Sequence, residues 1–131
     1  MNKLSTEEKV RVVACLIEGN SLRATVRMTG IHRTTIQTLL ADLGKACSEY
    51  QDKAFRNLAC KRIQCDEIWS FIGCKEKNVT LDNEEKGWGD IWTWVAMDAE
   101  TKLVPCWFVG TRDGGAAYHF IHDLQGRLAK Q

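Results

Sequence analysis

Proline is almost missing from this chain. Pro105 is the only one, and no Pro- or Ser-rich stretch interrupts the text, which excludes an extended linker between folded parts. No apolar run is long enough to span a bilayer, and the opening MNKLSTEEK has no apolar signal core. No membrane association is therefore expected, and the expected location is cytoplasmic. Histidine is scarce as well: His32, His119 and His122 lie far from the cysteine cluster. The six cysteines (15, 47, 60, 65, 74 and 106) contain no Cys-x-x-Cys pair, and the spacing of Cys60, Cys65 and Cys74 fits no structural zinc site. Without a secretory signal they read as buried or surface thiols. Internal repeats are absent too.

What is present is ordinary for a folded protein. Hydrophobic residues make up 44% and charged residues 27%, so a disordered or fibrous chain is excluded. A length of 131 residues suits one medium domain or two very small ones. The net charge of +1 conceals an asymmetry. Residues 1–63 hold 11 Lys and Arg against 6 Asp and Glu, or +5, and residues 64–131 hold 7 against 11, or −4. A basic front suits a polyanion and an acidic back suits a cation.

The hydrophobic period changes near residue 60. Ser5 and Glu8 form a Ser-x-x-Glu capping box, with Val10, Val13, Ala14 and Ile17 following at helical spacing. Gly19-Asn20 stops that helix. Ser21 caps a second, short helix with Leu22 and Val26 facing inward, ended by Thr29-Gly30. A third starts near His32 and runs through Ile36, Leu39, Leu40, Leu43, Cys47 and Tyr50, with a break expected at Gly44. Beyond residue 62, Arg62–Ile72, Asp90–Met97 and Leu103–Val109 read as strands. The last two are joined by a polar connector short enough for an antiparallel hairpin. Lys75–Trp88 reads as a loop, and Gly114–Leu128 as a helix with Ala117, Phe120, Ile121, Leu124 and Leu128 on one stripe. The fold class is therefore α+β, three helices and then a β-loop-β-β-α segment. The domains are expected at 1–60 and 61–131.

A short helix, a glycine turn and a longer helix suggest a helix-turn-helix. Its second helix would lie in the major groove of double-stranded DNA. With Ile36 inward, Arg33, Thr34, Gln37 and Thr38 share the outer face; Arg pairs with guanine, Gln with adenine, and Thr with phosphate or a thymine methyl. Arg23 and Arg27, one turn apart on the preceding helix, suit phosphates. The bland alternative is a three-helix bundle with a merely solvated face, and His32 reads as a surface or capping residue. In the back half, Cys65-Asp66-Glu67-Ile68-Trp69-Ser70-Phe71 sets two carboxylates in an apolar strand. A carboxylate there needs a cation, a hydrogen-bond network or a solvent-facing side. Alternation sends Asp66 and Glu67 to opposite faces. Asp98 reads as a turn cap, and Trp88, Trp92, Trp94 and Trp107 as packing residues.

Three stretches, STEEKVRVVACLIEGNSLRATVRMTGIHRTTI, RIQCDEIWSFIG and GDIWTWVAMDAETKLVPCWFVGTRD, resemble the N-terminal part of an insertion-sequence transposase of the DDE class, close to the insertion-sequence-one group. The resemblance covers nearly the whole chain. It implies a helix-turn-helix ahead of an RNase H-like domain, with Asp66 as the first catalytic carboxylate and metal ligand, and Glu67, Trp69 and Phe71 structural. The family reaction cuts and joins DNA at element ends, with three carboxylates holding two Mg²⁺ (or Mn²⁺) ions. The second Asp and the Glu of that set are expected beyond residue 131. By this reading the chain is a fragment, inactive alone and without tight metal binding, whose partner is element-end DNA and which can form a homo-oligomer. Asp98, Asp113 and Asp123 do not match the motif; Asp113 reads as a helix cap and Asp123 as a solvated helix residue. No zinc ribbon leads the chain. In the implied strand order 3-2-1-4-5, strand 3 is an edge, which tolerates Pro105. Strand 1 is left as an open edge beside Trp69 and Phe71, prone to pairing with another chain. Two further readings stand beside this one: a stand-alone DNA-binding regulator of transposition, and a non-functional remnant.

Overall fold

Ser5 begins the first helix as its capping box predicts. In the computed structural model, which describes residues 3–129, the Ser5 hydroxyl accepts the Glu8 backbone N–H at 3.2 Å, and the Glu8 carboxylate accepts the Ser5 N–H at 2.7 Å. The Ser5 N–H first, and then the Ser5 hydroxyl, hold the Glu8 carboxyl below its ordinary pKa. Helix α1 (Thr6–Ile17) follows, then α2 (Leu22–Thr29), capped by Ser21, and α3 (Arg33–Ala54). The chain divides into two compact units, Met1–Gln51 and Asp52–Gln131. Among the described residues, no helix is long and apolar enough to cross a membrane.

Each helix of the first unit contributes one fully buried side chain: Val12, Thr25 and Ile36. Two of these depart from the sequence expectation. The inward stripe of α1 was placed at Val10, Val13, Ala14 and Ile17, but Val12 and Cys15 are buried while Val10 is 63% and Ile17 77% exposed. The run from Val12 to Ile17 is apolar on nearly every side, so periodicity leaves the phase open and packing selects it. In α2, Leu22 and Val26 are only half-buried and Thr25 takes the core position. Its hydroxyl bonds the Ser21 carbonyl at 3.1 Å, which satisfies the one polar atom that burial would otherwise strand. The expected break at Gly44 does not occur, because α3 runs continuously through it; a helical glycine costs only about 1 kcal/mol. Beyond it, Cys47 and Tyr50 are exposed rather than inward.

The second unit is a three-stranded antiparallel sheet in the order β1-β2-β3, from β1 (Ile63–Ile72), β2 (Gly89–Asp98) and β3 (Cys106–Gly110). Strand β3 is an edge as expected, with Pro105 just before it. The expected loop before β2 holds two short turns of helix, a 3-10 turn at Glu76–Asn78 and α4 (Leu81–Glu84). Between β2 and β3, the Asp98 carboxylate accepts the Thr101 N–H at 3.1 Å and its hydroxyl at 2.6 Å. The Thr101 hydroxyl is the main reason its pKa lies below the ordinary value, and the turn-cap reading holds. Helix α5 (Gly114–Arg127) packs on β3. It is capped by Asp113, whose carboxylate accepts the Ala116 N–H at 2.9 Å.

The core lies between α5 and one sheet face. Ala96, Cys106, Phe120 and Leu124 are buried there, flanked by Ile63, Trp94, Phe108 and Leu128, with the Trp94 and Phe120 ring centroids 5.9 Å apart. Ala117 and Ile121, expected on the inward stripe, are half-buried and exposed; Ala116 is buried instead. At the C-terminal end of α5, Arg127 is buried and bonds Asp123 at 2.9 Å and also Asp52. The Cys106 thiol donates to the same Asp123 carboxylate at 3.1 Å. Leu58 and Leu128 form a parallel bridge beside them. Asp123 is thus half-buried and bonded rather than solvated. No disulfide joins the six cysteines; Cys15 and Cys106 are buried, Cys47 and Cys65 exposed.

Candidate nucleic-acid interface

The turn between α2 and α3 is three residues long, Gly30-Ile31-His32. Gly30 sits at φ 72° in the left-handed region, where a Cβ is disfavoured, and its N–H bonds the Val26 carbonyl at 2.9 Å. The Thr29 hydroxyl accepts the Ile31 N–H at 3.2 Å. His32 then starts α3: its Nδ1 accepts the Thr34 N–H at 3.3 Å, so the ring caps the helix.

Burial of Ile36 fixes the rotation of α3. Arg33, Thr34, Gln37 and Thr38 are all exposed at its start, with Arg33 and Gln37 four residues apart and Thr34 and Thr38 likewise, so each pair shares a stripe. The Thr34 hydroxyl lies 3.1 Å from His32 Nδ1, and the Thr38 hydroxyl donates to the Thr34 carbonyl at 3.1 Å. The first turn of α3 contains no acidic residue, which leaves its N-terminal dipole uncompensated. On α2, Arg23 and Arg27 are exposed and one turn apart. The four outer side chains of α3 therefore present one guanidinium, one amide and two hydroxyls from one side of a helix, a donor and acceptor set able to meet base edges and phosphates.

Asp66, the other candidate, lies in β1 opposite Val95, and Glu67 lies opposite Trp94. Trp94 belongs to the face covered by α5, so Asp66 is on the opposite face, where it is exposed. Its carboxylate accepts the Glu67 N–H at 2.8 Å. Glu67 is half-buried, 3.6 Å from the Arg112 guanidinium, which itself lies 4.9 Å from the Trp92 ring centroid. Among the described residues no group of three or more His, Cys, Asp or Glu could hold a metal ion. The described residues thus bring one carboxylate, and do not by themselves fit a two-ion centre. Asp98, Asp113 and Asp123 are each engaged in the turn, cap and Arg127 contacts described above.

Sequence reasoning missed the cationic partners of the aromatics: Arg112 on Trp92, Lys75 at 5.0 Å over Trp69 and Lys86 at 5.4 Å over Trp88. It also missed the Arg127 cluster, although the Asp123-x-x-x-Arg127 spacing is a usable helical signal. Trp69 and Phe71, expected to be structural, are 40% and 44% exposed. Comparison with known protein families, curated proteins and solved structures finds no match to this chain.

Proposed function

We propose that this chain is a DNA-binding protein of the insertion-sequence transposase type. Its first unit reads double-stranded element-end DNA through a helix-turn-helix, and its second is the opening part of an RNase H-like DDE domain acting in the cytoplasm. The observation that carries the reading is the left-handed Gly30 turn feeding a helix with Ile36 buried and Arg33, Thr34, Gln37 and Thr38 exposed together. Arg33 and Gln37 read bases; Thr34 and Thr38, whose hydroxyls have local partners, meet phosphates or thymine methyls; Arg23 and Arg27 set the docking register on the backbone. The basic front half supports the same polyanionic partner.

Within this reading Asp66 is the first carboxylate of the family's Mg²⁺- or Mn²⁺-dependent centre, and strand cutting and joining belongs to a chain that supplies the other two. The isolation of Asp66 favours a second reading, in which the 131-residue chain binds element ends without cutting them and regulates transposition by occupancy.

The test is a gel shift on element-end and scrambled DNA across a salt series. Specific binding is expected, with Arg33→Ala or Gln37→Ala each costing about 1–3 kcal/mol and relaxing base preference. Equal losses on every sequence would reduce both residues to phosphate contacts. Equal affinity for the two DNAs, or none, would sink the element-end reading.

A further inference from the structure

Helix α3 is 22 residues long, yet Ile36 is the one residue it buries. A helix in a protein is ordinarily held by packing of its apolar face rather than by propensity. From Ile36 on, the apolar residues Ile36, Leu40, Leu43, Cys47, Tyr50 and Ala54 recur at steps of four and three, the heptad spacing of a helix that packs along another helix. Past Ile36 the stripe stays uncovered: Leu43 is half-buried, while Leu40, Cys47, Tyr50 and Ala54 are exposed, Tyr50 at 68%. The positions flanking it are Leu39, Gly44, Ala46, Gln51 and Lys53, of which Lys53 alone is charged; Asp42, Lys45, Glu49 and Asp52 lie away from the stripe. Gly44 is an independent sign. A glycine inside a helix is unfavourable, and a Cβ there would meet nothing within 4 Å outside its own helical turns. Nothing in the chain requires that glycine, whereas the close approach of a second helix accounts for it.

We propose that α3 pairs antiparallel with α3 of a second copy of this chain, over residues 43–54 of each, about a two-fold axis level with Ser48 and Glu49. The heptad spacing asks for a helix as partner. Charges flanking such a stripe ordinarily select a foreign helix; here they are nearly absent, so the stripe's own complementarity chooses. Direction follows from Ile36, which lies on the same stripe but is fully buried within the first unit. In a parallel pair both first units would crowd onto the seam at one end, whereas an antiparallel pair sets them at opposite ends. Register follows as well. Opposing Leu40 to Tyr50 would bring Ala54 of the second copy onto the covered Ile36. One heptad further along, Leu43 opposes Ala54 and Cys47 opposes Tyr50, each twice by symmetry, so every large side chain meets a small one. Leu40 then lies opposite residue 57 of the second copy, past the end of its α3. Gly44 comes beside Gln51 and Ala46 beside Lys53, so no like charges meet. The seam lies beyond residues 33–38, and the inference does not depend on the DNA reading.

Sedimentation velocity on the 131-residue chain tests it, over a dilution series to hundreds of micromolar because a seam of about three turns gives a weak dimer. A reversible shift from 14.9 kDa to twice that mass is expected. Tyr50→Lys puts an ammonium into the seam and should weaken association roughly tenfold or more. Ile17→Lys, at an exposed apolar site on α1 (77%), should leave the dimer intact. In a Cys47→Ser, Cys65→Ser background, Leu43→Cys combined with Ala54→Cys should give a disulfide-linked dimer on mild oxidation, and neither change alone should. This arm reads direction and register even if the lysine variant folds poorly. A monomer at every concentration, an unweakened Tyr50→Lys dimer, a dimer lost with Ile17→Lys, no cross-link from the paired change, or a cross-link from Leu43→Cys alone, as a parallel pair gives, would each overturn the proposal.

Discussion

Replacing Arg127 by Met removes a guanidinium and keeps a side chain of similar length in its place. The Arg127 side chain is 6% exposed and links Asp123 on its own helix to Asp52, 75 positions earlier. Hydrogen bonds to charged groups contribute about 1.5–3 kcal/mol each, and breaking a fully buried pair costs about 3–5 kcal/mol. Here the stranded partners are wetter: the Asp123 side chain is 39% and the Asp52 side chain 56% exposed, so water recovers much of the loss. The Cys106 thiol continues to donate to Asp123, and the Met stem retains the packing of the Arg methylenes. The net cost is about 2 kcal/mol, which for a unit of this size lowers Tm by roughly 8–16 °C. All five tryptophans lie between residues 69 and 107, so their fluorescence reports the melting of the second unit. Acid gives an independent arm. Burial pushes the Asp123 carboxyl up, but the Arg127 and Cys106 hydrogen bonds outweigh it and leave the pKa below the ordinary value. Stability from a lowered carboxyl is present above its unfolded pKa and lost as pH falls through the folded one. The wild type should therefore lose more stability on acidification than Arg127→Met does. A Tm within about 2 °C of wild type, with unchanged acid sensitivity, would refute an energetic role for the cluster.

Three other perturbations follow from local geometry. Gly73 has φ 69°, and a Cβ there would overlap the Trp88 ring, so Gly73→Ala should cost about 1–3 kcal/mol and shift Trp88 emission; an unchanged melt would count against that packing. Lys102 is held at φ 63° in the β2–β3 turn, so Lys102→Gly should stabilise by about 0.5–1 kcal/mol, read as a higher Tm; a lower Tm would mean that the turn is not strained. Cys106 is raised from 9.0 to about 12, by burial first and then by its bond to Asp123. It should resist alkylation at pH 8 while exposed Cys47 reacts, and the stability that the neutral thiol supplies should fall as pH rises from 9 towards 12; equal labelling of the two thiols would contradict its burial.

Much of the local architecture was legible because the signals are short-range. Ser5 with Glu8, Ser21 and Asp113 each cap the helix that the sequence assigns to them, since a cap needs only a side-chain oxygen within three residues of an open N–H. The exposure of Arg33, Thr34, Gln37 and Thr38 followed from placing Ile36 inward. The face of α1 was not legible, because Val12 to Ile17 offers more than one apolar row and only packing decides between them. Thr25 escaped notice because its polarity is cancelled by a backbone bond visible only in the folded helix. The two helical turns before β2 lie in a polar segment with no apolar period to announce them.

Alone, the sequence determined the three front helices, the three strands and the last helix, where the caps and the β2–β3 turn fall, and that basic charge gathers in the front half. Those properties depend on neighbours a few positions apart and on composition. Tertiary structure decided the face each helix buries, the burial of Thr25 in the core and the Arg127 link across 75 positions. Each of these depends on which distant groups exclude water together, and a local pattern carries no record of that.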